Sequence, residues 1–265
     1  MMSSLILFEP SFYLLAAIVV LLTGMSKGGF AGGLGTLAVP LLTLAIDPRV
    51  AAAIMLPILV CMDFVSLATY RKYCDRAILM TLVPAAIVGI IIGTLTFQLM
   101  SAQFIRLIIG LLSLYIGGQF FVKRWRKTDL SKGSLPSPAP SPKKGRLWGC
   151  VSGFTSFVAH AGGPPLSIYL LPLRLDKSVM VGTSVVFFTL INAAKLIPYA
   201  WLGQLTNEHL LTSLVLLPLA PIGVRLGVYL HQRVTEDFFY WLSYSLLALV
   251  GIKLISESLL PLLYA

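Results

Sequence analysis

The sequence predicts an all-α integral membrane protein. Two repeats of about five segments each are expected, with inverted topology and Gly/Pro-broken or re-entrant helices near the midplane. Three observations predict it. Hydrophobic residues make up 57% of the 265-residue chain and charged residues only 11%, against about 25% charged in a soluble domain, whose wet surface needs them. Apolar stretches of about 17–25 residues recur along the chain, the length that crosses about 30 Å of hydrocarbon as a helix. Residues also recur in order, at a nearly constant offset, between the two halves. The alternating ten-residue strands of a transmembrane β-barrel do not occur in the sequence.

In the first half the apolar segments are residues 12–26, 30–46, 50–70, 77–100 and 104–122. Residues 123–146, KRWRKTDLSKGSLPSPAPSPKKGR, follow as a basic Pro/Ser-rich linker without apolar period, expected to be disordered. The second half holds apolar segments 147–161, 164–173, 179–202, 210–230 and 238–255. The chain therefore divides into a first membrane repeat (1–122), the linker (123–146) and a second membrane repeat (147–265). Gly24 and Gly153, Gly33 and Gly162, Asp47 and Asp176, Asp63 and Asn192, and Tyr70 and Tyr199 are each 129 positions apart. After a five-residue insertion the offset is 134, pairing Pro84 with Pro218, Gly89 with Gly223 and Gly93 with Gly227. The repeated P-x4-G-x3-G suits close helix packing in lipid, within one chain or across a homodimer.

Charge sets orientation. The net charge of +10 concentrates in loops, eight Lys/Arg falling in the linker, which reads as membrane topology rather than nucleic-acid binding. The linker is expected to be cytoplasmic. The turn 71–76 then lies on the same side with three basic residues, while its counterpart 203–209 has no Lys or Arg and lies outside. The turn 47–49 has one basic residue and its counterpart 174–177 has two. Opposite bias in equivalent loops is what an inverted repeat produces, with an odd number of crossings per half. Residues 12–46 and 147–173 read either as two crossings or as a hairpin, so eight to ten segments cross fully, and five plus five puts both termini in the periplasm. Residues 1–10 lack the basic region and cleavage site of a signal peptide. Cys61, Cys74 and Cys150 have no disulfide or metal-ligand spacing, and no cofactor is expected.

Two corresponding places break the helical pattern: GMSKGGFAGGLGTLAVP (24–40) and GFTSFVAHAGGPP (153–165). Unwound backbone in a membrane survives only when buried in protein or lining a wet cavity. Half-helix N-termini there present N–H groups suited to an anion. The simpler reading is close helix packing at glycine. Gly32, Gly33, Gly35, Gly162, Gly163 and Pro164 are therefore candidate substrate-binding positions. Asp63 and Lys195 lie within apolar segments, where a charge costs about 2.5–3.5 kcal/mol at mid-bilayer. Lys195 is one turn beyond Asn192 on the same helix face. Lys195 is expected to give the site positive charge and Asn192 to donate hydrogen bonds. Asp63 is expected to be the counter-charge of Lys195 or a proton-coupling carboxylate. His160 could carry a proton or bridge helices, and Lys27 could draw anions at the cytoplasmic mouth or snorkel. Tyr and Trp at segment ends, such as Tyr70, Trp148, Tyr199 and Trp201, read as an interfacial belt.

These motifs resemble the sulfite exporter TauE/SafE family. The resemblance runs through KGGFAGG with LAVP (27–40), DPRVAAA (47–53), LPILVCMD (56–63), AHAGGPP (159–165), YLLP (169–172) and NAAKLIPY (192–199). It implies a multi-pass transporter of bacterial inner membranes, associated with export of sulfite, sulfonates or related sulfur-containing anions. The expected function is thus secondary transport by alternating access, with a small anion as substrate, the bilayer as surroundings and protons as candidate coupling ion. No P-loop is present to couple ATP. Rival readings are an anion channel, which single-channel currents would reveal, a carrier of another organic anion, and an intramembrane enzyme using His160 and Asp63. The last lacks a second His, a nucleophile motif or a metal-ligand cluster.

Overall fold

A computed structural model describes residues 9–29, 38–125, 140–230 and 236–263. Among the described residues the chain is helical, without strands. The first half contains α1 (Pro10–Gly29), the short α2 (Ala38–Leu42), α3 (Pro48–Tyr70), α4 (Arg76–Phe97) and α5 (Ala102–Trp125). The second contains α6 (Pro142–Ala159), α7 (Gly163–Leu170), α8 (Lys177–Trp201), α9 (Asn207–Leu216), α10 (Leu219–Leu230) and α11 (Glu236–Leu263). Five described helices are long and apolar enough to cross a membrane: α1, α3, α4, α5 and α8. The pair α9–α10, bent by 41° at its break, makes a sixth candidate. The protein is a multi-pass helical membrane protein.

Several expectations shift in detail. Helix α5 runs through Lys123 and Arg124, and α6 begins at Pro142, so both ends of the basic linker are helical. Proline at the first helical position needs no N–H partner, which lets α6 start there despite the polar composition. The segment 210–230 is two helices, and Pro218 falls in their break. Pro84, its counterpart, lies inside an unbroken α4. Glycine does not interrupt α1 at Gly24 or α6 at Gly153.

Those two glycines instead let helices cross. A Cβ on Gly24 would lie 2.9 Å from the backbone of Gly223, and one on Gly153 would run into the carbonyl group of Ala86. No side chain can yield there, because the obstacle is backbone. Gly24→Val and Gly153→Val are each expected to abolish the monodisperse peak of the detergent-solubilised protein in size-exclusion chromatography. Gly118→Ala, where a Cβ meets nothing within 4 Å, is expected to keep it.

The same contacts give helix directions. Along α4 and α6, Thr81 meets Gly145, Ala86 meets Gly153 and Gly93 meets Phe157, so the two run parallel. Along α5 and α11, Gly110 meets Ile255 and Gly117 meets Ala248, so they run antiparallel. Helix α1 packs on α10, and α3 packs on α8.

Local structure recurs between the halves. Asp47 caps α3 by accepting from Arg49 N, and Asp176 caps α8 by accepting from Ser178 N. Tyr70 donates its hydroxyl to Gly28 O at 3.0 Å, and Tyr199 donates to Phe157 O at 2.7 Å. Both members of the second bond stand 129 positions beyond those of the first (70 to 199, 28 to 157). Tyr199 is fully buried, so this tyrosine belongs to the core and not to an interfacial belt. Asp47→Ala and Asp176→Ala should each lower stability by about 1 kcal/mol, the usual worth of an N-cap, read as a drop in thermal midpoint in detergent. An unchanged midpoint in both would contradict the capping role.

Candidate functional site

Helices α3 and α8 cross at the centre of the bundle, and α3 is buried over most of its length. Asp63 on α3 and Asn192 and Lys195 on α8 are buried, so their polar groups need partners inside. Asp63 on α3 and Asn192 on α8 meet there, Asn192 Nδ2 donating to Asp63 Oδ2 at 2.5 Å. The other carboxylate oxygen, Oδ1, pairs with Lys27 Nζ, which also lies 3.4 Å from Leu59 O. Lys27 occupies the last turn of α1, where exposed carbonyls and the helix dipole favour a cation. It is 7% exposed.

One turn beyond Asn192, Lys195 is 0% exposed. Its ammonium donates to Ser156 O and Ser156 Oγ, both at 2.9 Å, and to His160 Nδ1 at 2.8 Å. His160 Nε2 lies 2.9 Å from Ala52 O. A carbonyl only accepts, so Nε2 carries the proton and Nδ1 presents its lone pair to the ammonium. This assigns a neutral His160. The imidazole stacks on Tyr199, with ring centroids 6.3 Å apart and planes 19° apart.

The main-chain break expected in the second half falls between Ala159 and Gly163. His160 ends α6 in the left-handed region at φ 51°, a conformation that costs a non-glycine residue about 1–2 kcal/mol. The turn thereby aims the imidazole at Lys195. Gly162 fits because its O accepts from Ser152 Oγ at 2.7 Å and its α-carbon approaches Ser152 and Ser156 too closely for a side chain. Gly163 begins α7, followed by Pro164 and Pro165.

Lys27, Leu59, Ser156, His160, Gly163, Phe188 and Asn192 line a cavity of about 20 Å³. That is room for about one water. The cluster of described residues holds two ammonium groups, one carboxylate and a neutral imidazole. Among the described residues Lys195 has no carboxylate partner. Residues 30–37, FAGGLGTL, hold Gly32, Gly33 and Gly35 and lie outside the described residues. They contain no ionisable side chain, so they do not alter this charge count.

The structure brings Lys27, Asp63, His160, Asn192 and Lys195 together, with Gly162 and Gly163 beside them. It corrects one pairing: the ion-pair partner of Asp63 is Lys27, and Lys195 turns instead to Ser156 and His160. Lys27 is accordingly a buried member of the cluster rather than a snorkelling residue. Ser156 is the residue that sequence reasoning missed. Its signal was its place 129 positions beyond Lys27. Among the described residues no His/Cys/Asp/Glu group is arranged to hold a metal ion.

The family model for the sulfite exporter TauE/SafE matches residues 16–254. The chain belongs to that family, and with it to the multi-pass membrane transporters associated with export of sulfur-containing anions. No curated protein and no solved structure matches the chain.

Proposed function

From membership in the TauE/SafE family, we propose that the protein is a secondary transporter, not an enzyme. It exports a small sulfur-containing anion such as sulfite or a sulfonate across the inner membrane by alternating access. The observation that carries this reading is Lys195: a fully buried ammonium held by neutral acceptors at the crossing of the two halves. An uncompensated charge in a dry interior is costly. An anion entering beside Lys195 and Asn192 supplies the missing negative charge. Gly162, Gly163 and Pro164 shape the wall next to it; at the offset of 129 Gly33 and Gly35 correspond to Gly162 and Pro164, and Gly32 directly precedes them in the first half.

The inverted repeat supplies the two access states. Its inversion is supported by the antiparallel run of the equivalent helices α5 and α11, and the duplication by the recurring caps and tyrosine bonds. Asp63 and Asn192 are equivalent positions that touch each other, as residues beside a pseudo-two-fold axis do. A site on that axis is reached equally from either side when one half rocks against the other. The present cavity is too small for a polyatomic anion, which fits a closed state between the two openings and favours a carrier over an open channel. The inside-negative potential favours anion exit by about 2.3 kcal/mol per charge at 100 mV.

The test is efflux of radiolabelled sulfite from proteoliposomes, with sulfoacetate, methanesulfonate and acetate as competitors. Saturable efflux inhibited by the sulfur oxyanions and not by acetate is expected. Absence of efflux under both a pH gradient and a membrane potential would overturn the assignment.

A further inference from the structure

The charge of the cluster depends on one acid. With Asp63 ionised, Lys27 and Lys195 leave it at a net +1. With Asp63 protonated, the same residues give +2. Asp63 is bonded by Lys27 from α1 and Asn192 from α8, and the other titratable members of the cluster, Lys195 from α8 and His160 at the end of α6, are bonded to each other. Residues 30–37, which follow α1 in sequence, include no charged side chain. Among the described members of this cluster, Asp63 is the only acid.

Resting on the transport reading, we propose that Asp63 is a proton-binding group that selects the valence of the transported anion. The ionised site accepts a monoanion, and the site accepts a dianion only after Asp63 takes up one proton. The proton binds a carboxylate oxygen of Asp63, and Lys27 is released from its ion pair. A second acceptor is in place for it. Ser66, on the same face of α3 one turn beyond Asp63, is 1% exposed, and its hydroxyl has no hydrogen-bond partner among the described residues. Ser66 stands 129 positions before Lys195, as Lys27 stands 129 before Ser156. A Lys27–Ser66 bond would therefore repeat, in the first half, the Lys195–Ser156 bond of the second. Each dianion then leaves with one proton, and the net charge moved per cycle is the same as for a monoanion.

Two probes of fixed charge separate the cases: methanesulfonate, a monoanion, and thiosulfate, a dianion, across about three pH units, roughly 5.5–8.5, within which neither titrates appreciably. Binding to the purified full-length protein is read by isothermal titration calorimetry. Methanesulfonate affinity is expected to stay flat, and thiosulfate affinity to rise as pH falls, approaching about tenfold per pH unit for one linked proton. Asp63→Asn should bind thiosulfate without pH dependence. Because that variant leaves Lys27 without its acid, Lys27→Met/Asp63→Asn serves as a second form. It removes the pair as a unit and should bind methanesulfonate while losing the thiosulfate pH slope. His160→Gln should bind more weakly but keep the slope. A thiosulfate slope that persists in both Asp63 variants, or is missing in the wild type, overturns the proposal. If neither anion binds the wild type, or if Lys195→Met leaves binding unchanged, the transport reading itself fails.

Discussion

Lys195→Met is expected to lose sulfite efflux by about tenfold to hundredfold while the protein stays folded. The magnitude follows from removing one charge-assisted hydrogen bond to an anion, worth about 1.5–3 kcal/mol. Methionine keeps the volume of the buried stem, so no large cavity opens. Three acceptors lose their donor: Ser156 O, Ser156 Oγ and His160 Nδ1. Ser156 Oγ can turn to other partners, which limits the structural cost. A thermal midpoint near that of the wild type, together with lost efflux, separates a role in binding from one in folding. Efflux within twofold of wild type would remove Lys195 from the site.

Asp63→Ala is expected to destabilise the protein by about 3–5 kcal/mol, because it leaves the Lys27 ammonium buried and unpaired. Asn192 Nδ2 loses its acceptor at the same stroke. The double variant Lys27→Met/Asp63→Ala should recover most of that loss, since an apolar replacement of a buried pair is often close to neutral. Thermal or denaturant unfolding in detergent closes the cycle. If the double variant is as unstable as Asp63→Ala alone, the coupling between Lys27 and Asp63 is absent and the charge count of the site must be redrawn.

The fold class was legible because composition and span length act on every residue, and eight repeated positions pointed to a duplication. Much of the site was legible for a related reason. An ionisable residue in an apolar helix must have a partner, so Asp63, Lys195 and Asn192 announced themselves, and the Gly-Gly-Pro-Pro run marked the break beside His160. The pairing was not legible. Periodicity places Asn192 and Lys195 on one face of α8, but it does not say which neighbouring helix each faces. That rotation is set by the packing of the whole bundle, in which α1 lies close on α10 at Gly24 and Gly223 and α6 lies close on α4 at Gly153 and Ala86. The same close approach explains why Gly24 and Gly153 read as helix breaks and are instead helix crossings. Ser156 escaped notice because a serine in a membrane helix usually bonds its own backbone, and nothing in its local sequence distinguishes it. The helical ends of the basic linker were hidden by composition, although Pro142 is well suited to begin a helix.

In the proposed transport cycle Lys195 and Ser156 border a site reached alternately from the two faces of the membrane. The most direct test is a Ser156→Cys variant in a background where Cys61, Cys74 and Cys150 are serine, labelled by a membrane-impermeant methanethiosulfonate applied to one side at a time. Labelling from either side, slowed by saturating sulfite, is expected. Labelling from neither side, or from one side alone whatever the gradient, would contradict it.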